Sequence, residues 1–143
     1  MISTKNVEQA KNLIKRATER PIIVEAQDDS FNRKLLEYGK LDILLGIEKG
    51  SRKDGLRQLD SGMNEFLAKL AAKNKVAIGI DLEDLNKESK RQKALRIGRI
   101  MQNVRLCRKA KCKLKLINYK NKINAQAFLM SLGASSQQAK EAL

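Results

Sequence analysis

Four short apolar runs are the feature that most constrains how this chain can fold. They are Ile22–Ala26, Leu41–Ile47, Val76–Ile80 and Lys113–Ile117. The first three are mainly aliphatic, as in strands buried on both faces, and the fourth alternates in the manner of an edge strand. A helical segment follows each run and another precedes the first. This order predicts an α/β fold with a largely parallel sheet and right-handed crossovers.

The length of the chain limits how many such units it holds. Its 143 residues fall in the usual size range of one domain, so we expect a single domain over residues 1–143. A complete eight-unit barrel takes about 250 residues, which leaves room here for about half of one.

Apolar residues at helical spacing predict the helices. These cover residues 6–18, 31–39, a segment capped by Asp60 or Ser61, about 87–110, and 125–132, with a Ser135-x-x-Gln138 capping box before a last short helix. For the long helix 87–110, a projection at about 100° per residue predicts which residues are buried and which are exposed. The buried set is Ala94, Ile97, Ile100, Met101, Val104 and Cys107, and the exposed set is Arg91, Arg99, Gln102, Arg105 and Lys109.

Positive charge is concentrated in one part of the chain. The formal net charge is +14, and residues 87–122 contain 14 basic residues against Glu88 alone, whereas residues 1–86 contain 15 basic and 14 acidic residues. An ordinary exposed helix mixes the two signs for i, i+4 pairing. A surface with so few acidic partners repels itself until an anion covers it, which favours contact with nucleic acid.

The candidate contacts to RNA lie in the basic stretch and in the polar loop 48–60. They are Arg52, Lys53, Arg57, Arg91, Arg96, Arg99, Arg105, Arg108, Lys109, Lys111, Lys120 and Lys122. Two tyrosines, three phenylalanines and no tryptophan leave few platforms for base stacking. The composition therefore favours contact with phosphates and with the shape of a folded RNA.

The absence of histidine excludes several classes of enzyme. With no histidine in the chain, the usual zinc sites and the Ser-His and Cys-His nucleophile pairs cannot form. The glycines of loop 48–60 do not match the spacing of a phosphate-binding loop. We expect the protein itself to contain no catalytic residue and to bind no metal or cofactor.

Asp81, Glu83 and Asp84 follow the third strand and leave one catalytic alternative open. They could hold a magnesium ion for phosphodiester hydrolysis, but Asp81 and Asp84 also suit the capping of the next turn, which is the commoner role of aspartate here. Cys107 and Cys112 could form a redox pair, although two small buried apolar residues are the favoured interpretation.

The first residues, MISTKNVEQ, lack the apolar core of a signal peptide, and no apolar run approaches the roughly 20 residues that span a bilayer. Two cysteines are too few for a disulfide framework. We expect a soluble cytoplasmic protein that does not bind a membrane.

The segment DSGMNEFLAKLAAKNKVAIGIDL, residues 60–82, resembles the archaeal ribonuclease P protein component 3 family, which is related to the eukaryotic thirty-kilodalton subunit. YGKLDILLGIE before it and AFLMSLGASSQQAKEAL at residues 127–143 extend the resemblance over about residues 21–143. It implies a partial TIM-barrel-like protein that binds ribonuclease P RNA and pairs with the ferredoxin-like protein component 2. The RNA and its magnesium ions would remove the 5′ leader of precursor tRNA. A ribosomal RNA-binding protein would suit the same basic stretch.

Two departures from the family pattern give further expectations. Glu65 occupies a position where family members usually carry histidine, and its carboxylate would repel phosphate. The chain is also short, with about four strands. Because a partial barrel leaves sheet edges and a concave face to cover, we expect it to form a homo-oligomer or to rest on its protein partner.

Overall fold

The chain forms four strands and seven helices within the residues described by a computed structural model, which are 1–50, 52–55 and 59–143. The strands are β1 (Ile23–Glu25), β2 (Ile43–Leu45), β3 (Ala77–Asp81) and β4 (Leu114–Ile117). The helices are α1 (Val7–Arg16), α2 (Asp29–Tyr38), α3 (Glu65–Asn74), α4 (Leu82–Asn86), α5 (Lys90–Ala110), α6 (Lys122–Ser131) and α7 (Ser136–Glu141). None of these described helices has the length and apolar content needed to cross a bilayer.

The sheet is parallel throughout, in the order β1-β2-β3-β4. Ile23 pairs with Ile43, Leu44 with Ile78, and Ile78 with Leu114. The predicted α/β fold with four parallel strands and alternating helices is therefore confirmed. The strands are shorter than the apolar runs, as at β2, where Gly46 turns the backbone with φ +76°.

Side-chain caps set the helix bounds more sharply than apolar spacing does. Ser89 accepts a hydrogen bond from the Gln92 amide, so α5 begins at Lys90 rather than near residue 87. Asn121 accepts one from Asn124, which starts α6 three residues earlier than predicted. Asn64, rather than Asp60 or Ser61, caps α3. Ser135 and Gln138 form the predicted capping box of α7.

Residues near the two ends of the chain contact the outer strands of the sheet. The amide of Ile2 donates to the Ile23 carbonyl, and the amide of Glu25 donates back to Ile2, both at 2.8 Å. At the opposite edge, the Leu116 amide of β4 donates to the Ala142 carbonyl at 2.8 Å. The chain itself therefore covers part of each edge that the short sheet was expected to leave open.

The core lies between the sheet and its helices and includes fully buried Leu35, Leu44, Ile78 and Leu129. Gly79 of β3 has a packing reason for being glycine. A Cβ atom there would lie 2.5 Å from the Cγ2 atom of Ile43 on the neighbouring strand. The close approach of β2 and β3 thus requires a residue without a side chain.

The two cysteines belong to the end of α5. The amides of Lys111, which has φ +62°, and of Cys112 both donate to the Cys107 carbonyl. This is a Schellman motif, in which the residues three before and two after the helix end make an apolar contact. Both cysteines are buried, as predicted, and the hydrogen bond to Cys112 together with burial raises the pKa of the Cys107 thiol. The Cys-x4-Cys spacing is explained by this helix end.

Candidate nucleic-acid interface

The middle of the basic stretch is turned into the protein. Arg96 donates to Glu48 at 3.0 Å through Nη2, and its Nη1 atom lies 3.0 Å from Asp84 and 3.3 Å from Glu88. The side chains of Arg96 and Glu48 are 3% and 1% exposed. Burial alone would lower the pKa of Arg96, but the Glu48 and Asp84 carboxylates outweigh it and raise the pKa. This guanidinium is already neutralised within the chain.

Arg99 is buried as well, so the projection that turned it outward is wrong. It holds the Asp54 carboxylate through two hydrogen bonds of 2.9 and 3.3 Å and donates to the carbonyls of Glu48 and Gly50. The Arg99 hydrogen bond lowers the pKa of Asp54 despite burial. Glu48, Gly50 and Asp54 lie against this side of α5, and their carbonyls and carboxylates surround the polar side chains that the helix turns inward.

Four other positions on α5 depart from the projection. Gln102 is half-buried and donates to the Leu59 carbonyl and to the Ser61 hydroxyl, at 3.0 and 3.1 Å. Ala94, predicted to be buried, is exposed, and Ile97 and Met101 are half-buried. The helix is rotated towards loop 48–60, because its buried face must accommodate arginines and an asparagine besides the apolar residues.

Of the three candidate RNA contacts in loop 48–60, one is buried in ion pairs, one is exposed, and one lies outside the described residues. Arg52 has a side chain only 8% exposed, and its Nη1 atom lies 3.0 Å from both Asp29 and Asp60. It also donates to the Lys49 carbonyl at 3.2 Å. Lys53 is exposed. Arg57 lies outside the described residues. Arg52 therefore joins Arg96 and Arg99 in holding the loop in place.

The Asp-Ser-Gly motif at residues 60–62 anchors the same loop. The Asp60 carboxylate accepts a hydrogen bond from Arg52, and the carbonyl of the buried Ser61 accepts one from Asn103 at 3.1 Å. Gly62 has φ +79°. A Cβ atom on Gly62 would collide with the Ile47 carbonyl and lie 2.8 Å from Arg52. The motif that carries the family resemblance is therefore a structural junction between loop 48–60, α3 and α5.

Glu65 and Lys109 form an exposed ion pair of 2.7 Å between α3 and α5. The hydrogen bond between them lowers the pKa of Glu65 and raises the pKa of Lys109. Glu65, which stands where family members usually carry histidine, is therefore the ion-pair partner of Lys109, one of the candidate RNA contacts.

The remaining candidates are exposed: Arg91, Arg105, Arg108, Lys111, Lys120 and Lys122. None of them has an ion-pair partner among the residues that the structure describes. Arg108 donates to the Gly133 carbonyl at 3.1 Å. These side chains are free for an external anion on geometric grounds.

Three of these exposed cations, Arg108, Lys111 and Lys120, line two grooves. Arg108 and Lys111 line one of about 460 Å³ together with Lys113. Lys120 lines the other, of about 860 Å³, with Lys87 and Lys93. Lys93 and Lys113 were not among the candidates from sequence. The position of Lys113 directly before a strand was the available signal, because strand ends lie at the rim of a sheet.

The acidic residue that ends β3, Asp81, and the two that follow it, Glu83 and Asp84, are engaged by other groups of the chain. Asp81 caps α4 by accepting from the Asp84 amide at 3.1 Å and also accepts from Asn118. Glu83 pairs with Lys87. Asp84 lies 3.0 Å from both Lys49 and Arg96; burial would raise its pKa, but these cations lower it. Capping by Asp81 is as predicted. Asp84 is an ion-pair partner rather than a cap, and a metal ion would have to displace those cations.

Comparisons with known proteins match this chain to one family. It is 29% identical over 110 residues to ribonuclease P protein component 3 of Methanococcus maripaludis strain C7 and 30% identical to that of strain C6. The same protein of Methanococcus vannielii is 28% identical. These matches cover 76% of this chain and 44 to 45% of the relatives, so the chain spans less than half of their length. No family model matches.

A solved structure described as "cryo-EM structure of archaeal Ribonuclease P with mature tRNA" contains a chain with the same fold. The TM-score is 0.77 at 24% identity, over 99% of this chain and 62% of that one. The partial barrel-like fold and the resemblance to ribonuclease P protein component 3 are both confirmed.

Proposed function

We propose that this chain, which resembles ribonuclease P protein component 3 in sequence, is an RNA-binding subunit of ribonuclease P. It would bind the RNA subunit through its exposed cations and pair with the ferredoxin-like protein component 2 in the cytoplasm. Removal of the 5′ leader from precursor tRNA would be the work of the RNA and its magnesium ions. The chain would supply binding and orientation.

The sequence match to proteins of that name is the observation that carries this proposal. Two features of the chain support it. Seven of the candidate RNA contacts, Lys53 among them, are exposed and lack ion-pair partners among the described residues. The acidic residues nearest to the strand ends are already engaged: Asp81 caps α4 and accepts from Asn118, and Asp84 is held by Lys49 and Arg96. A backbone-binding role needs the former, and hydrolysis by a carboxylate-bound metal would be hindered by the latter.

Reconstitution tests the proposal. Ribonuclease P RNA of Methanococcus maripaludis is incubated with precursor tRNA over a range of magnesium concentrations, with component 2 alone or with component 2 and this chain. We expect the chain to lower the magnesium concentration needed for cleavage, because a protein that neutralises phosphates replaces part of the metal requirement.

Two outcomes would contradict the proposal. One is an unchanged magnesium dependence when the chain binds neither RNA nor component 2. The other is cleavage of RNA by the chain alone with magnesium, lost in Asp81→Asn, which would indicate a metal-dependent phosphoesterase instead. The relatives are longer than this chain, so the full-length component 3 of the same organism serves as the positive control.

A further inference from the structure

The inward rotation of Arg96 and Arg99 divides the basic stretch into two parts. Between Arg91 and Arg105, only the neutral Gln92 and Ala94 are exposed, Lys93 is half-buried, and residues 95–104 are half-buried or buried. In the middle of residues 87–122, the positive charges of Arg96 and Arg99 are neutralised by the carboxylates of Glu48, Asp54 and Asp84. What reaches solvent is one set of cations at each end.

The two sets lie at opposite ends of the sheet. Because α5 runs from the carboxyl end of β3 to the amino end of β4, Arg91 lies beside the carboxyl ends of the strands and Arg108 beside their amino ends. The 17 residue steps from Arg91 to Arg108 correspond to about 26 Å of helix at about 1.5 Å per residue. The Debye length at physiological ionic strength is about 8 Å. The two sets therefore act as separate electrostatic sites.

The amino-end patch consists of Arg105, Arg108, Lys111 and Lys113. All four side chains are exposed, and the last three border the groove of about 460 Å³ between the end of α5 and α7. The acidic residue of that groove, Glu141, already accepts a hydrogen bond from Gln137 at 3.1 Å. The groove thus presents cations and amide groups, which suit phosphodiester oxygens.

We use the name carboxyl-end patch for the cations at that end: Arg91, Lys120 and Lys122, which are exposed, and Lys93, which is half-buried. Lys93 and Lys120 border the larger groove, and its acidic residue, Glu83, is paired with Lys87 at 3.2 Å. Asn118, Asn121 and Asn124 add amide groups to the same walls. No member of either patch has an ion-pair partner in the described part of the chain.

We propose that the chain bridges two separate segments of RNA backbone, one at each patch, rather than lying along a single one. This inference rests on the proposed RNA-binding function and specifies it. A single duplex bound lengthwise to α5 would meet no exposed cation at its centre, whereas each of two segments meets unpaired cations at its own end of the helix. The consequence is a protein that fixes the distance between two parts of a folded RNA.

The test uses a short RNA hairpin that is too small to reach both patches. Binding to the full chain is followed by native mass spectrometry and titration calorimetry at low salt. One variant, R105Q/K111Q/K113Q, removes the amino-end patch and another, R91Q/K120Q/K122Q, removes the carboxyl-end patch. A third variant, K15Q/K34Q/K73Q, removes the same charge from exposed lysines of α1, α2 and α3 and serves as the control.

We expect the wild-type chain and the control to bind two hairpins, and each patch variant to bind one. On intact ribonuclease P RNA, each patch variant should reduce the salt slope by about one unit per cation removed, and the reductions should add in the combined variant. One hairpin at saturation, or complete loss of binding in a single patch variant with no effect in the other, would overturn the two-site arrangement. In that event, a retained effect on magnesium-dependent cleavage would leave the proposed function standing.

Discussion

Arg96 and Glu48 form an ion pair in the interior of the protein, with 3.0 Å between Nη2 and Oε1, across 48 residues of sequence. The pair joins the middle of α5 to the loop after β2. It explains why a strongly basic helix can pack on an α/β core: the inward arginines meet carboxylates that the loops supply.

Replacing Glu48 tests how much this pair stabilises the fold. Glu48→Gln keeps the shape but leaves Arg96 with only its two partly exposed carboxylates. Because breaking a buried pair leaves a desolvated charge, we expect a loss of about 3 kcal/mol in the free energy of unfolding, measured in urea. Lys87→Gln, which breaks the exposed Glu83 pair, should cost at most about 0.5 kcal/mol. Equal effects of the two changes would mean that Arg96 is solvated.

The ion pair of Asp54 and Arg99 predicts a loss of stability in acid. The hydrogen bond from Arg99 lowers the pKa of Asp54 in the folded protein. Its contribution to stability is therefore complete above the unfolded-state value of about 3.9 and is lost as the pH falls through the folded-state pKa. In urea unfolding measured down to pH 3, Asp54→Asn should show a shallower decline below about pH 4 than the wild type does. Parallel curves would exclude Asp54 as a source of that decline.

Glu65 restrains Lys109, so removing its charge should strengthen RNA binding. In Glu65→Gln the Lys109 ammonium becomes free for a phosphate, and we expect the salt slope on ribonuclease P RNA to rise by about one unit. Glu37→Gln is the matched control, because it also removes one carboxylate from an exposed ion pair, that with Arg33 on α2. An equal gain in both variants would assign the effect to net charge alone.

Replacing Gly62 by alanine should destabilise the fold for two reasons, backbone strain and a collision of the added Cβ atom. At Gly133 only the strain applies, so the two glycines together separate the two effects. Gly62 and Gly133 both have positive φ angles, of 79° and 104°, but only at Gly62 would a Cβ atom meet other atoms within 4 Å. We expect Gly133→Ala to cost about 1 to 2 kcal/mol from backbone strain and Gly62→Ala to cost about 3 kcal/mol or more, since the collision adds to the strain. Thermal unfolding of the two variants measures the difference. Similar costs would show that the loop carbonyl of Ile47 can move away.

The order of strands and helices could be predicted because it depends on local patterns. Apolar runs of strand length and apolar spacing of helical period survive in the structure from β1 to α7. Bounds were less predictable, since single capping side chains such as Ser89 and Asn121 decide them.

The side of α5 that faces inward could not be predicted from the helix alone. Arg96 and Arg99 find their partners at residues 48, 54 and 84, which a helical projection does not include. A charge is stable inside only where a distant segment brings the opposite charge, and that pairing is a property of the tertiary structure. The concentration of charge in the sequence was therefore a poor guide to the individual contacts.

The hydrogen bonds of Ile2 and Ala142 to the outer strands bear on the behaviour of the protein in concentrated solution. An uncovered strand edge is a template on which further copies can stack without limit, and short edge contacts of this kind interrupt such growth. A chain trimmed by a few residues at either end should accordingly precipitate at concentrations where the intact one stays dispersed, even if both fold. Affinity tags are best attached through a linker long enough to leave these two terminal contacts undisturbed.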